Sequence, residues 1–210
     1  MPQLAEQYTT VRREAHVEFE EKRSLFIGHA IHVGSEEEAL AFIKQIKKEY
    51  SDATHNCFAY LLNGGIIARY SDDGEPQGTA GMPMLEAIRK SGVSDVCVVV
   101  TRYFGGILLG AGGLVRAYSH STAIALEAAE VVTYEPYNVY ELRSGYSEYQ
   151  KYSNILTNAA AIIDNTEFAA DVCVTFAVKR DLADVLLKRI SEAGFGRDIP
   201  MQVGERFDCG

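Results

Sequence analysis

Positive charge is what this 210-residue chain has too little of. It carries 20 Lys and Arg against 29 Asp and Glu, a formal net charge of −9. A protein that holds nucleic acid mainly through phosphates shows a basic domain or stripe. None hides behind the total: residues 1–130 hold 12 basic and 17 acidic side chains, and residues 131–210 hold 8 and 12. Contact with RNA would therefore need a local basic site on an acidic body. Long hydrophobic runs are also missing, since no apolar stretch approaches the ~18–20 residues needed to span a bilayer. Residues 1–10 are polar and lack the apolar core of a signal peptide. The expectation is a cytoplasmic protein with no membrane partner. Paired cysteines are the third absence. Cys57, Cys97, Cys173 and Cys209 form no CxxC, and the first three lie in apolar or strand-like runs. Free Cys there behaves as a small hydrophobe, which fits a reducing compartment. No HExxH, GxSxG or zinc-ligand cluster occurs, and His16, His29, His32 and His120 show no ligand spacing.

What is present is the balance of a globular protein, 47% hydrophobic and 23% charged, and the order of its elements reads as α+β. Alternation predicts strands over 11–19 and 25–33. Ser35 caps a helix, with Glu38 as its capping-box partner and Leu40, Phe42, Ile43 and Ile46 as its apolar stripe. Residues 54–62 and 66–70 read as a hairpin turning at Asn63-Gly64-Gly65. Thr79 to Lys90 reads as a helix, with Pro83 tolerated in its first turn. The β-branched run Val96-Cys97-Val98-Val99-Val100 predicts a strand buried on both faces. A helix rich in small residues follows over 114–129. The second half reads βαββαβ: strand 138–144, helix 147–160, strands 161–168 and 170–179, a helix capped by Asp181, and strand 201–207. The boundary falls near 132–136, where Pro136 breaks the pattern.

Ligand chemistry concentrates between His55 and Tyr118. In Ser71-Asp72-Asp73-Gly74-Glu75-Pro76 three carboxylates crowd four positions. Asp72, Asp73 and Glu75 are candidate ligands for Mg²⁺, which often bridges carboxylates to phosphate; the competing reading is an ordinary solvated turn. Gly78-Thr79-Ala80-Gly81 opens a helix whose free N–H groups attract anions, unless Thr79 is simply a cap. The run from Arg102 and Tyr103 through Gly105, Gly106, Gly110, Gly112 and Gly113 leads a buried strand through glycines into a helix, which brings backbone amides up to a phosphate. It is neither a Rossmann fingerprint nor a Walker loop, and glycines serving packing are an equal alternative. Arg102 and Arg116 flank this loop and suit phosphate or carboxylate, or else a structural ion pair with residues 72–75. His55 and Cys57 share a strand face; Cys57 reads as core filler, and His55 faces either way.

Ser71-Asp72-Asp73-Gly74-Glu75-Pro76, Gly78-Thr79-Ala80-Gly81 with Pro83, and Arg102-Tyr103-Phe104-Gly105-Gly106 through Leu109-Gly110 and Gly112-Gly113-Leu114 to Arg116-Ala117-Tyr118 resemble the signature of the YigZ/IMPACT family. His55 and Cys57-Phe58-Ala59-Tyr60 extend the match. The resemblance implies an N-terminal α/β domain, residues 1–132, of the fold shared by a small-subunit ribosomal protein and GHMP-type kinases. It implies a ferredoxin-like βαββαβ domain over 133–210, similar to a terminal domain of elongation factor G. For eukaryotic members it implies translational control through the activator of a stress-responsive initiation-factor kinase. The resulting expectation is a binding protein in translation, contacting RNA, the ribosome or translation factors. The alternatives are an enzyme acting on a phosphate-containing small molecule or nucleotide with Mg²⁺, and a protein-interaction module.

Overall fold

The computed structural model describes residues 7–209. Residues 8–133 form one compact unit and the described residues from 134 onward belong to a second. The whole is mixed α+β.

The first unit opens with β1 (Tyr8–Val11), β2 (Ala15–Glu21) and β3 (Ser24–His32), so the alternating 11–19 stretch is two strands, parted at residues 12–14. Then come α1 (Glu36–Glu49), β4 (His55–Leu62), β5 (Ile67–Ser71), α2 (Gly81–Ser91), β6 (Val96–Tyr103) and α3 (Ala111–Ala128). Residues 63–65 make a 3-10 turn rather than a two-residue hairpin. The sheet runs β2-β3-β6-β4-β5, antiparallel throughout. β6 is its centre. Val96, Val98 and Val100 face the core under α2 and α3, while Cys97 and Val99 face the core under α1. The unbroken apolar run is therefore explained by two buried faces on one strand.

α1 starts as its sequence requires, with Ser35 Oγ accepting from the Glu38 N–H at 3.2 Å. The Glu38 carboxylate reaches back to the Gly34 N–H at 2.7 Å, one residue before the cap. Ala39, Phe42, Ile43 and Ile46 are its buried face, whereas Leu40 is 55% exposed and lies outside the stripe. α3 packs closely on β3 because position 28 is glycine: a Cβ there would stand 2.7 Å from the Ser121 carbonyl oxygen.

The second unit continues from β7 (Val131–Ser144) through α4 (Tyr146–Asn158), β8 (Ile162–Phe168), β9 (Val172–Lys179), α5 (Ala183–Ala193) and β10 (Met201–Asp208). Its strands pair β10-β7-β9-β8, all antiparallel. Tyr140, Leu142, Val174 and Phe176 form a core with Tyr152 and Leu156 of α4 and Leu186 and Ile190 of α5. Two local readings are corrected. Pro136 lies inside β7, opposite Phe207, rather than ending a pattern. Asp181 sits in a 3-10 turn, and α5 begins at Ala183 without a side-chain cap.

A polar track crosses the first sheet. His29 is fully buried. Its Nε2 lies 3.1 Å from Thr101 Oγ1, and that hydroxyl donates to Asn56 Oδ1 at 2.7 Å. Thr101 must therefore accept from His29 Nε2–H, which leaves His29 Nδ1 to accept from His16 Nδ1 at 2.7 Å. Burial, with a smaller contribution from His16, holds the His29 pKa at about 4, down from 6.5. The neutral form is the folded form. Its contribution to stability is complete above the unfolded pKa of 6.5 and is lost as the pH falls through 4. At 1.36 kcal/mol per unit this amounts to about 3 kcal/mol. Urea unfolding at pH 7 and pH 4 should show the native chain losing about 3 kcal/mol more than His29→Gln, which cannot titrate. Equal losses in the two proteins would refute the assignment.

Candidate functional site

The site grows from the end of β6. Arg102 is opposite Phe26 on β3 and opposite His55 on β4. This register brings the strand's last cation beside the start of β4 and the acidic turn that follows β5.

The three carboxylates of that turn diverge. Asp72 curls onto the start of α2: its Oδ1 accepts from the Ala80 and Gly81 N–H groups at 3.1 and 2.8 Å, and its Oδ2 from Gly78 at 2.8 Å. The anion at this helix N-terminus is thus the chain's own. Thr79 is not the cap, for its hydroxyl donates to the Pro76 carbonyl at 2.6 Å and Ala80 holds the cap position. Gly81 is needed for space, since a Cβ would stand 2.9 Å from the Ser71 backbone. Asp73 accepts from the Asn56 N–H at 2.7 Å and from Lys47 Nζ at 2.6 Å. Glu75 turns inward. Its Oε1 accepts from Arg102 Nη1 at 2.6 Å and from the Tyr118 hydroxyl at 2.7 Å. Among the described residues no group of three His, Cys, Asp or Glu side chains is placed to hold a metal ion. The acidic turn supplies a cap for α2 and an ion-pair partner for Arg102.

Arg102 is 5% exposed. Besides Glu75 it reaches Ser24 Oγ from Nη2 at 3.3 Å, and its guanidinium lies between the rings of Phe26 and Phe104, 5.4 and 5.6 Å from their centroids. Its Nε is buried without a partner. His55 Nδ1 donates to the Asp73 carbonyl at 2.9 Å, which turns Nε2 toward Glu75 Oε2, 3.8 Å away.

These groups line a cavity of ≈ 400 Å³ together with Thr54, Phe104, Leu108 and the start of α3. α3 opens at Gly110, whose φ of 71° suits glycine, and no side chain caps it. The first bond into the helix runs from Leu114 N–H to the Gly110 carbonyl. The N–H groups of Ala111, Gly112 and Gly113 therefore have no partner within the helix. Gly110 and Ala111 are part of the cavity wall.

Of the residues singled out from sequence, His55, Glu75, Arg102 and Gly110 share this cavity; Gly112 lies in the first turn of α3 outside its lining, and Gly113 lines a different hollow, the one that holds Arg116. Asp72, Asp73, Thr79 and Gly81 are taken up internally. The Tyr103 hydroxyl donates to Asp52 at 2.8 Å. Gly105 packs on the Arg23–Ser24 backbone, and Gly106, with φ 82°, shapes the loop. Arg116 lines a separate hollow of ≈ 260 Å³ with Phe19, Glu21 and His120. Tyr118 and Phe104, which hold Glu75 and Arg102 in place, carry the site as well. An aromatic inside a glycine run and a Tyr four positions after Leu114 were the available signals. Cys57 is buried, its thiol pushed up to about 12 mainly by burial, so it is a packing group and not a nucleophile. A larger, mostly apolar concavity of ≈ 1280 Å³ between α2 and α3 is lined by Met82, Pro83, Val115 and Leu126. It contains none of these buried charged groups, so the smaller cavity is the candidate site.

Fold and cavity define the class: an α+β protein of two units, the first presenting an uncapped helix start beside a buried arginine–glutamate pair. Residues 22–126 match the Impact N-terminal domain, and residues 142–197 match a domain of unknown function, DUF1949. The chain belongs to the IMPACT family, whose bacterial members include YigZ. It is 41% identical to the IMPACT family member YvyE of Bacillus subtilis (strain 168) over 166 residues, covering 79% of this chain and 76% of that one. Identity to an IMPACT family member of Haemophilus influenzae is 33% over 196 residues, covering 90% and 95%. A solved structure titled "Crystal structure of an hypothetical protein" aligns with TM-score 0.60 at 31% identity, over 96% of this chain and 99% of that one.

Proposed function

We propose that this chain is a cytosolic binding protein acting in translation or its regulation, which contacts RNA or the ribosome through the cavity at the end of β6. In this reading the first unit has the fold of a small-subunit ribosomal protein and of GHMP-type kinases. The second is ferredoxin-like, and its βαββαβ order with pairing β10-β7-β9-β8 supports that. The observation that carries the proposal is the uncapped start of α3 beside Arg102, whose buried Nε has no partner. Helix starts of this kind receive phosphates. Phe104, 45% exposed, offers a ring on which a base stacks.

The acidic body limits how such a contact behaves. One phosphate held on an otherwise acidic surface predicts a salt dependence with a log–log slope of about −0.7, far shallower than a basic groove produces. Fluorescence anisotropy with short single-stranded RNA at low salt, repeated at rising salt, measures it. Absence of both RNA binding and ribosome co-sedimentation at low salt would remove the proposal.

A second reading is favoured by volume. At ≈ 400 Å³ the cavity lies within the ~300–1,000 Å³ range of small-molecule sites. Here the ligand is a free phosphate-bearing small molecule or nucleotide. A thermal shift with nucleotides, and none with RNA, would favour it.

A further inference from the structure

We infer that His55 and Glu75 receive the vicinal 2′,3′-diol of a ribose, which is the free 3′ end of an RNA strand or a nucleoside. The inference rests on the cavity being the ligand site that both readings above assume. Its argument is a pair of acceptors left without a donor. Glu75 takes both of its side-chain hydrogen bonds at Oε1, from Arg102 and Tyr118. Its Oε2 has no hydrogen-bond donor among the described residues and faces His55 Nε2 at 3.8 Å. His55 Nδ1 carries the proton donated to the Asp73 carbonyl, so Nε2 of the neutral ring also accepts. At 3.8 Å the two atoms stand beyond hydrogen-bond distance of each other. Both residues line the cavity of ≈ 400 Å³, and the Glu75 side chain is 3% exposed. Acceptors placed this deeply need a donor from outside the chain.

Charge and spacing select that donor. The Glu75 charge is already offset by Arg102 at 2.6 Å, so little is left to hold an ammonium ion. A single donor atom would have to bend two hydrogens toward acceptors 3.8 Å apart. Two hydroxyls on adjacent carbons give one straight bond to each. Carboxylates hold ribose hydroxyls in this manner in dinucleotide sites. Phe104, 45% exposed, lines the same cavity and offers the base a ring. Only the last ribose of a strand presents both hydroxyls, because every internal one has its 3′ oxygen esterified.

The test uses the full chain at low salt and one 5′-labelled short RNA with three 3′ ends: the native diol, 3′-deoxy and 2′,3′-dideoxy. Adenosine and 2′,3′-dideoxyadenosine serve as competitors. The diol end should bind roughly 10-fold tighter than the dideoxy end, with the 3′-deoxy end between them, since each lost hydroxyl strands one acceptor. Adenosine should compete better than dideoxyadenosine. His55→Asn keeps a donor for the Asp73 carbonyl and removes the Nε2 acceptor. It should cut the preference to roughly 3-fold with the urea midpoint unchanged. If that variant does not fold, the His55 Nε2 resonance of the native chain decides: it should move with adenosine and stay with dideoxyadenosine. Equal binding of the three ends, a full preference in folded His55→Asn, or an Nε2 signal unmoved by adenosine overturns the inference and leaves the translation reading standing. Diol-dependent binding of adenosine without any RNA form upholds the inference and removes that reading. No binding by any probe removes both.

Discussion

Replacing Glu75 with alanine should cost about 3–5 kcal/mol of folding stability, the usual consequence of breaking a buried ion pair from one side. The Glu75 side chain is 3% exposed and Arg102 is 6% exposed. Without Glu75 the guanidinium stays buried, and Nη1 loses its acceptor along with the Tyr118 hydroxyl. Nearby carboxylates do not substitute, because Asp72 and Asp73 are held by the α2 amides, Asn56 and Lys47. Glu75→Gln keeps an oxygen for Tyr118 and removes the charge, so its cost should fall between alanine and none. Arg102→Met together with Glu75→Gln should be milder than either arginine or glutamate removal to alanine alone, since no charge is then stranded. Chemical denaturation of the native chain, Glu75→Gln, Arg102→Met and the double variant, with Glu75→Ala alongside, reads this directly. Additive losses in the double variant would show that the two side chains do not depend on one another.

Gly105→Ala is the second large effect. A Cβ at this position would lie 1.9 Å from the Arg23 carbonyl oxygen and 2.5 Å from the Ser24 nitrogen. Both are backbone atoms of the turn joining β2 to β3, and Arg23 already has a φ of 64°. The same junction is tied by the Gly105 N–H donating to Ser24 Oγ at 3.2 Å, and Ser24 Oγ also accepts from Arg102. The turn cannot yield without disturbing Arg102. We expect a loss above ~3 kcal/mol, beyond ordinary overpacking. Gly106→Ala is the control. It meets open space at φ 82°, so only the left-handed backbone is penalised, by ~1–2 kcal/mol. Comparable losses at the two positions would contradict the close approach at Gly105.

The parts of the fold governed by local pattern were legible. The Val96–Val100 run announced a central strand because each face of β6 meets its own core. Ser35 announced α1 because a cap is a contact over three residues. Legibility failed where a contact closes over a longer span. Thr79 looked like the cap of α2, but Asp72 folds back to its amides from eight and nine residues upstream. Leu40 fits a helical stripe and is exposed, because Ala39, Phe42, Ile43 and Ile46 already cover the sheet. The site divides in the same way. Glycine and acidic runs marked its segments, yet the pairing of Arg102 with His55 comes from strand register and with Glu75 from the turn's return path. Arg116 was grouped with Arg102 by sequence proximity to the glycines. It lies five residues beyond Ala111, about 140° around the helix at 3.6 residues per turn, and so faces a different hollow.

The claim that the start of α3 and Arg102 form one anion site has a direct spectroscopic readout. In a ¹⁵N–¹H correlation spectrum, titration with a nucleoside monophosphate should shift the amides of Ala111, Gly112 and Gly113 and the Arg102 Nε–H together, saturating with one dissociation constant. Shifts spread over surface lysines, with those four signals unmoved, would contradict the account.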